Sequence, residues 1–280
     1  MARAHYENFP VASWLLPRPM RPHVAAVYAY ARVADDIADE GSAPAGDRLA
    51  KLEAWKRRLH AALISEAAVE VASAPRDVHE DLIVIALAHS IRTLELPVTL
   101  FDDLVSAFGQ DTMTTRYDSW AGVFDYCRRS ANPVGRLVLR IAGYRDEALD
   151  RSSDALCTAL QLANFWQDFG RDWRAGRLYV PREVQQACDA DEAALASGRF
   201  DEAWTETMAA CVMVTDALFD KGRAVCDGVR GRLRYELRFT WLGGHRILER
   251  VDRARASLMT CRPTLGAADA PTILWQALRW

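Results

Sequence analysis

Several features that would assign the chain to a common class are missing from its sequence. The six cysteines are scattered, with no Cys-x-x-Cys pair and no zinc-type spacing, so neither a zinc site nor a disulfide framework is indicated. No apolar run approaches the roughly 18 residues of a membrane span, and no secretory signal pattern is present, so we expect a soluble, cytoplasmic protein. The formal net charge of −3 argues against nucleic-acid binding, and any membrane contact is expected to be peripheral.

Signs of β-structure and of nucleotide binding are also missing. We find no convincing alternation of apolar and polar residues, no internal repeat and no low-complexity segment. The pair Gly243-Gly244 follows no strand, so it is not a dinucleotide-binding fingerprint. Hydrophobic residues make up 50% of the chain, which allows a sizeable core. We therefore expect an all-α protein in which residues 1–280 form a single domain.

Apolar residues that recur every three or four positions, with Pro and Gly as breakers, place the helices. Pro133 and Gly135 fall inside a helical pattern that runs from Trp120 to Ala142, so a kink or an interruption is predicted there. A loop is predicted around Pro44 and Gly46. The other predicted helices cover residues 22–40, a segment that begins at Asp47, and residues 77–95, 98–109, 153–172, 201–228, 232–260 and 270–280.

The first predicted helix carries an acidic stripe. Asp35 and Asp39 are four residues apart, so a helix places both carboxylates on one face. Arg32 and Tyr28 lie on roughly the same stripe, one and two turns earlier. The surrounding sequence is rich in alanine and apolar residues, and no lysine stands at salt-bridge spacing. The pattern indicates a group of oxygen-bearing side chains held by one rigid element.

A second stripe of the same type follows past mid-chain. Asn164, Asp168 and Asp172 repeat at four-residue steps in the predicted helix 153–172, and Gln161 stands just upstream. Such aspartate pairs often mark only a solvated helix face. If they are buried without a partner, two like charges cost several kcal/mol, so a bound cation is the simplest compensation. Oxygen ligands on rigid helices suit Mg²⁺, which binds few carboxylates and shares substrate phosphates.

The two stripes together resemble the motifs of the squalene/phytoene synthase family. The first DxxxD motif of the family is matched by residues 35–39, and its preceding Tyr-x-x-x-Arg by Tyr28 and Arg32. Its QxxNxxxDxxxD motif is matched by residues 161–172, and the Arg-x-Tyr that follows by Arg177 and Tyr179. Two motifs about 130 residues apart, with their flanking residues, are far more specific than one DxxxD alone.

The resemblance implies an isoprenoid-synthase helical bundle around a central cavity, Mg²⁺ as cofactor, and a prenyl diphosphate as substrate. The metal ligands that it implies are Asp35, Asp39, Asn164, Asp168 and Asp172. The implied catalytic residues are the four aspartates of this set together with Tyr28 and Asn132. The implied substrate-binding residues are His5, Arg32, Gln161, Asn164, Arg177 and Tyr179.

Three segments resemble the bacterial branch of the family that converts presqualene diphosphate and water to hydroxysqualene in hopanoid biosynthesis. They are residues 5–13, 130–135 and 164–168. Asn132, at the predicted helix break, is compatible with holding a water molecule, and the alternative is that it only caps the break. The resemblance to this branch is weaker than the resemblance to the family as a whole.

The expected function is therefore Mg²⁺-dependent ionisation of presqualene diphosphate, followed by rearrangement and water capture, which is a lyase reaction. The alternative is a transferase that joins two prenyl diphosphates, such as farnesyl diphosphate, head to head into presqualene diphosphate or phytoene. A helical partner subunit without turnover is disfavoured because both motifs are intact. The expected functional partners are a presqualene diphosphate synthase and a downstream oxidoreductase, and no nucleic acid is expected.

Two further groups of residues have open interpretations. Aromatic residues are frequent near the motifs, where they either pack in the core or present ring faces that would stabilise carbocations. The four arginines at positions 230, 232, 234 and 238 either begin a solvated helix or help to capture the diphosphate.

Overall fold

The computed structural model describes residues 15–39, 43–64 and 78–280. Within these ranges the backbone forms thirteen α-helices with short 3-10 turns, and the β-structure is limited to an isolated bridge between Arg116 and Leu178. The all-α prediction is confirmed. The helices are α1 Arg21–Asp39, α2 Ala45–Ile64, α3 Val78–Leu94, α4 Thr99–Asp111, α5 Trp120–Ser130, α6 Asn132–Ile141, α7 Glu147–Gln167, α8 Phe169–Arg174, α9 Arg182–Ala187, α10 Glu192–Ala196, α11 Glu202–Gly228, α12 Gly231–Ala254 and α13 Ala270–Arg279.

The chain divides into two compact units. The first combines the residues up to Thr114 with Pro133–Asp146, and the second combines Thr115–Asn132 with Glu147–Trp280. The acidic stripe of α1 belongs to the first unit, and the stripe around Asp168 belongs to the second. The single domain over residues 1–280 stays a prediction.

In the first unit, α1 packs against α2, α3 and α4. Its buried side chains recur every three or four residues, which is the spacing of one helix face. Tyr30 lies at the centre, stacked on Trp55 at 5.0 Å and edge-on to Phe101 at 5.9 Å. The Trp55 indole nitrogen also donates to the Tyr30 carbonyl at 3.2 Å. Because this face of α1 packs in the core, the stripe that contains Tyr28 and Asp35 lies on another, less buried side of the helix.

In the second unit, α7 packs against both long helices, α11 and α12. A side chain at Gly222 would place its Cβ 2.7 Å from the backbone of Leu156, so the glycine permits the close approach of α11 to α7. The buried Trp166 donates from its indole nitrogen to Thr215 at 2.8 Å, which fixes the same two helices further along. The helix that carries the second motif is therefore held firmly against its neighbours.

The predicted interruption near Pro133 is confirmed. Helix α5 ends at Ser130 and α6 begins at Asn132, so proline stands in the first turn of the new helix, where its missing N–H is not needed. At its other end, α5 begins after Ser119, whose hydroxyl accepts from the Gly122 amide.

Some of the predicted boundaries are wrong. The helix predicted over 153–172 begins earlier, at Glu147, and is interrupted at Asp168, whose φ of −92° and ψ of 8° end α7. The helix predicted over 232–260 ends at Ala254, and a 3-10 turn follows. Gly46, predicted in a loop, lies inside the first turn of α2. The short helices α9 and α10 carry too few turns to show a periodic pattern, and they were not predicted.

The cysteines are unpaired, as predicted. All six are free thiols, and Cys127, Cys211 and Cys226 are buried. Burial raises the pKa of Cys226 to about 12, so this thiol stays protonated at neutral pH. None of the helices in the described ranges is both long and apolar enough to cross a membrane.

Candidate active site

The first motif occupies the last two turns of α1. Arg32 reaches forward along the helix and pairs with two carboxylates, Asp35 at 2.7 Å and Asp36 at 2.6 Å. Asp35 is half-buried and Asp39 is exposed. The arginine that was predicted to bind substrate therefore already balances part of the negative charge of its own motif.

The position of these aspartates works against the helix dipole. Asp35, Asp36 and Asp39 stand at the carboxyl end of α1, and its last turn contains no basic residue. Each acid at this end is unfavourable by about 0.3–1 kcal/mol at an exposed site. Arg48 of α2 offsets part of this cost because it donates to the Ala38 carbonyl at 2.7 Å. The sequence thus keeps acids where the local backbone disfavours them, which is typical of a functional site.

The second motif is centred on Asp168, at the junction of α7 and α8. The residue is only 7% exposed, and its carboxylate is held by Arg262, with Nε 2.5 Å from Oδ1 and Nη2 3.3 Å from Oδ2. Backbone bonds of 2.9 Å link Asn164 to Asp168 and Asp168 to Asp172, so the four-residue repeat persists through the junction. Asn164 and Gln161 are half-buried on α7.

Arg262 reaches Asp168 because the segment after α12 lies directly on the α7–α8 junction. Gln167 donates to the Pro263 carbonyl at 2.6 Å, and Arg174 donates to the Met259 carbonyl at 2.8 Å. A Cβ on Gly170 would lie 2.4 Å from that same Met259 oxygen, so only glycine fits here. The absence of a side chain at Gly170 therefore allows the backbone segment that carries Arg262 to pack directly on α8.

Asp172 is paired with Arg177 through the turn that ends α8. The Arg177 guanidinium lies 3.7 Å from the Asp172 carboxylate. Gly176 has a φ of +81°, the Arg177 amide donates to the Asp172 carbonyl at 2.8 Å, and the Gly176 amide donates to Trp173 at 3.0 Å. This is a glycine-terminated Schellman turn. It reverses the chain so that Arg177 lies beside Asp172 of the second acidic motif.

Tyr179 completes this side of the second motif. Its ring is parallel to that of Phe165, with centroids 3.7 Å apart, and Phe165 directly follows Asn164 in α7. Tyr117 and Tyr126 extend the aromatic group at 5.9 Å and 6.4 Å from Tyr179. The bridge between Arg116 and Leu178 fixes the loop that carries Tyr179. The structure therefore brings both predicted flanking residues, Arg177 and Tyr179, to the second motif.

Asn132 lies at the α5–α6 break and is buried. Its amide oxygen accepts a hydrogen bond of 2.9 Å from the Thr158 hydroxyl on α7. Thr158 stands one turn before Gln161, so the bond ties the break to the helix that bears the second motif. This contact agrees with the structural alternative for Asn132.

The comparisons with known proteins agree with these motifs. A family model described as squalene/phytoene synthase matches residues 2–269. The chain belongs to the squalene/phytoene synthase family. It is 40% identical to the hydroxysqualene synthase of Zymomonas mobilis over 195 residues, which are 69% of this chain and 60% of that protein. The chain thus covers less than two thirds of that relative.

Two further members of the squalene/phytoene synthase family match larger shares of the chain. The hydroxysqualene synthase of Sinorhizobium fredii is 32% identical over 233 residues, which are 82% of this chain and 74% of that protein. The crystal structure of the squalene synthase HpnC from Alicyclobacillus acidocaldarius is 40% identical, with a TM-score of 0.78 over 90% of each chain. As a member of this family, the protein is an isoprenoid synthase with an established all-helical fold.

The family typically uses Mg²⁺, and the donor set fits that ion. The two motifs supply carboxylates at Asp35, Asp39, Asp168 and Asp172, which are the hard oxygen ligands that Mg²⁺ prefers. Within the described residues, three or more His, Cys, Asp or Glu side chains do not gather into a metal-binding group. Each motif by itself supplies carboxylates of the kind that bind Mg²⁺ together with substrate oxygens.

The predicted residues divide clearly by position. Tyr28, Arg32, Asp35 and Asp39 lie along α1, while the predicted residues from Gln161 to Tyr179 lie around the α7–α8 junction. His5 and the segment 5–13 lie outside the described residues. Arg262 was missed, because it stands 94 residues after Asp168 in a segment without periodic pattern.

Two arginines of the basic run have a structural explanation. Arg238 pairs with Asp227 at 3.0 Å, and Arg234 donates to the Val229 carbonyl at 2.9 Å. Both contacts join α12 to the carboxyl end of α11. They support the structural interpretation of Arg234 and Arg238 over diphosphate capture.

Proposed function

We propose that this member of the squalene/phytoene synthase family converts presqualene diphosphate and water to hydroxysqualene and diphosphate. The observation that carries the proposal is the α7–α8 junction, where Asp168 pairs with Arg262 and Asp172 with Arg177. Carboxylates and guanidinium groups in alternation offer both metal ligands and diphosphate donors. The identities of 40% and 32% to hydroxysqualene synthases support this reaction within the family.

In this proposal, the residues of the two motifs bind the substrate diphosphate and assist its departure as the leaving group. The proposed metal ligands are Asp35, Asp39, Asn164, Asp168 and Asp172. Mg²⁺, when bound, neutralises the charge that develops on the departing diphosphate. Arg32 and Arg177, both about one-third exposed, donate hydrogen bonds to the diphosphate oxygens, which strengthen as the carbon–oxygen bond breaks and the electron pair leaves with the phosphate.

The cationic part of the reaction requires an apolar surface that does not trap the carbocation. The half-buried Tyr179, whose ring stacks on the buried Phe165, would offer its other ring face next to the second motif. After rearrangement the oxygen of a water molecule bonds to the cationic carbon and releases one proton, which gives the alcohol. The hydrogen bond from the Thr158 hydroxyl would hold the side-chain amide of Asn132 beside α7. That this amide positions the attacking water molecule remains a prediction.

Product analysis tests this proposal directly. The purified protein is incubated with presqualene diphosphate and Mg²⁺, without nicotinamide cofactor, in ¹⁸O-labelled water. We expect consumption of the substrate and one ¹⁸O atom in the product alcohol. Replacing Asn132 by Ala should raise the proportion of unhydroxylated hydrocarbon, and unchanged products would leave this residue with its structural role at the helix break.

A second candidate reaction is the head-to-head joining of two prenyl diphosphates. It is favoured by the match to a structure named squalene synthase, at 40% identity over 90% of the chain. Farnesyl diphosphate is therefore offered separately under the same conditions. If it is converted to presqualene diphosphate while added presqualene diphosphate is inert, the joining reaction is the function.

The proposed reaction also defines its neighbours in a reaction sequence. Presqualene diphosphate must be supplied by an enzyme that joins two farnesyl units, and the alcohol must be consumed by a reductive step that removes its oxygen. We propose functional coupling to a presqualene diphosphate synthase and to an oxidoreductase on this basis. Co-expression of all three activities should convert farnesyl diphosphate to the hydrocarbon without accumulation of the alcohol.

A further inference from the structure

The last residue of α5, Ser130, has a buried hydroxyl group that is not hydrogen-bonded. Its Oγ atom is shielded from solvent and has no hydrogen-bond partner in the described part of the chain. Hydroxyl groups inside helices often donate to the carbonyl four residues earlier, as those of Ser90, Thr207 and Thr215 do here. A buried hydroxyl without such a bond is unfavourable, so we ask what satisfies it.

Ser130 lies on the buried face of α5. Val123, Tyr126 and Cys127 are buried, and they stand seven, four and three residues before Ser130. In a helix these spacings place all four side chains on one side. Helix α5 packs against α7, the helix that carries most of the second motif.

Two contacts, one on each side of Ser130, join this part of the chain to α7. Four residues earlier, the Tyr126 ring lies 6.0 Å from the ring of Phe165. Two residues later, the Asn132 side chain accepts a hydrogen bond of 2.9 Å from the hydroxyl of Thr158. The residue number rises along α5 while it falls along α7, so the two helices run antiparallel here.

The level of Ser130 along α7 follows from these two contacts. Counting between them places Ser130 at about the level of Gln161, the half-buried residue that begins the second motif. One turn further along α7, the Phe165 ring stacks on that of Tyr179 at 3.7 Å. Ser130 therefore lies between the helix break and the aromatic group beside the second motif.

The two polar side chains at the break differ in what they can still bind. The amide oxygen of Asn132, the residue predicted to hold a water molecule, already accepts from Thr158. The Ser130 hydroxyl can act both as donor and as acceptor, and neither capacity is used within the described residues. Asn132 thus fixes the break against α7, and Ser130 offers the free hydrogen-bonding group.

We propose that the Ser130 hydroxyl binds the water molecule that captures the carbocation, an inference that rests on the proposed conversion of presqualene diphosphate to hydroxysqualene. The water donates one hydrogen bond to Oγ, which leaves an oxygen lone pair free to bond with the cationic carbon. The proton that the water then loses passes to the diphosphate, the base that the reaction itself releases. Ser130 is unchanged by the reaction, and a neutral hydroxyl orients the water without itself removing a proton from the cation.

Product partition in S130A tests this role. In ¹⁸O-labelled water with presqualene diphosphate and Mg²⁺, the rate of substrate consumption should stay within about twofold of wild type, because the hydroxyl acts after the carbon–oxygen bond breaks. The ratio of labelled alcohol to hydrocarbon should fall about fivefold, the factor expected for one hydrogen bond. A cation that is not captured loses a proton and gains a carbon–carbon double bond. S130T keeps the hydroxyl and should restore the ratio.

A matched control comes from another buried serine of the same unit. The Ser152 hydroxyl on α7 donates to the Lys221 carbonyl at 3.1 Å and accepts from the Val225 amide at 2.8 Å. S152A therefore removes a buried hydroxyl whose bonds are all structural, and it should lower Tm without changing the product ratio. Circular dichroism verifies that each variant is folded. If S130A is not folded, S130C serves instead, because a thiol bonds water weakly.

A crystallographic measurement tests the same inference without any turnover. In the wild-type protein we expect an ordered water molecule within hydrogen-bond distance of Ser130 Oγ, since buried polar groups without a protein partner commonly bind one. The water should be missing in the S130A structure. A wild-type structure at a resolution that shows ordered water, but without one at Oγ, would overturn the proposal.

The outcomes separate this inference from the proposed function. If wild-type protein forms no labelled alcohol from presqualene diphosphate, the proposed reaction is wrong, and the role of Ser130 is refuted with it. If wild type forms the alcohol and folded S130A gives the same ratio of alcohol to hydrocarbon, only the role of Ser130 is overturned. An equal shift of the ratio in S152A would also overturn it, because the effect would then follow from the loss of any buried hydroxyl.

Discussion

The salt bridge between Arg262 and Asp168 allows a quantitative test of how the second motif tolerates its buried charge. Replacing Arg262 by Gln removes the positive charge but keeps a hydrogen-bond donor of similar reach. The Asp168 side chain is 9% exposed, so water cannot fully replace the lost partner. The Arg262 side chain is 31% exposed, so the guanidinium can be solvated when Asp168 is changed instead.

The expected magnitude follows from this asymmetry. Removing one partner of a fully buried ion pair costs about 3–5 kcal/mol, while an exposed pair contributes about 0–1 kcal/mol. The pair is intermediate, so we expect R262Q to cost about 2 kcal/mol and D168N about 1 kcal/mol or less. For a chain of this size, 2 kcal/mol corresponds to a fall in Tm of about 4–8 °C. The double variant should be close to D168N alone, because no unpaired charge remains.

Urea unfolding followed by circular dichroism, with calorimetric Tm, measures the four members of this double-mutant cycle. All samples contain a chelator, so that no metal ion takes the place of Arg262. R151Q provides the control, because Arg151 pairs with Glu147 on the surface with 65% and 86% exposure. The reasoning is refuted if R262Q is as stable as wild type, or if D168N costs as much as R262Q and the cycle shows no coupling.

Four further predictions test other parts of the site. Asp35→Asn should reduce kcat by about a hundredfold or more while Tm changes little, which steady-state kinetics and calorimetry check together. Exhaustive chelation should abolish turnover but leave Tm unchanged, because arginines compensate both motifs; a large fall in Tm would show a structural metal. Gly170→Ala should destabilise by about 1–3 kcal/mol in urea, because its Cβ would collide with the Met259 carbonyl. Tyr30→Phe should stabilise by about 1 kcal/mol, since the buried Tyr30 hydroxyl lacks a hydrogen-bond partner within the described residues, and an unchanged or lower unfolding midpoint would contradict this.

The sequence was sufficient for several of the helices that carry a repeated apolar pattern and for the family, while the roles of the motif residues stay predictions. Helices α1 and α11 were predicted within one or two residues of their ends, because each buries a regular face and ends at or near a glycine. The interruption at Asp168 could not be predicted. It lies where the segment at 258–263 packs on Gly170 and Gln167, a contact between residues about 90 positions apart that local sequence patterns do not reveal.

Contacts between distant residues also determine how the charge of the acidic motifs is balanced, and local sequence patterns do not reveal them. From the sequence, an external cation is the simplest compensation for two aspartates one turn apart, because no lysine stands at salt-bridge spacing. In the structure Arg32 balances Asp35 and Asp36 from within α1, which the i, i+3 and i, i+4 spacing does allow. Arg262 balances Asp168 from a distant segment, and periodicity carries no information about such a pair.

Arginine pairing changes what the acidic motifs imply about metal binding. A buried aspartate pair without partners would need a cation in order to fold, and the metal would then be part of the structure. Here three of the motif carboxylates, those of Asp35, Asp168 and Asp172, already have a guanidinium within 3.7 Å. We therefore expect the fold to be independent of the metal, and we propose that the ion balances the charge of the diphosphate rather than the charge of the protein. If Asp35, Asp168 and Asp172 bind the metal, their partner arginines would lie beside it as donors for the phosphate oxygens. The same arginines would then balance the protein's carboxylates before substrate binds and the leaving group afterwards.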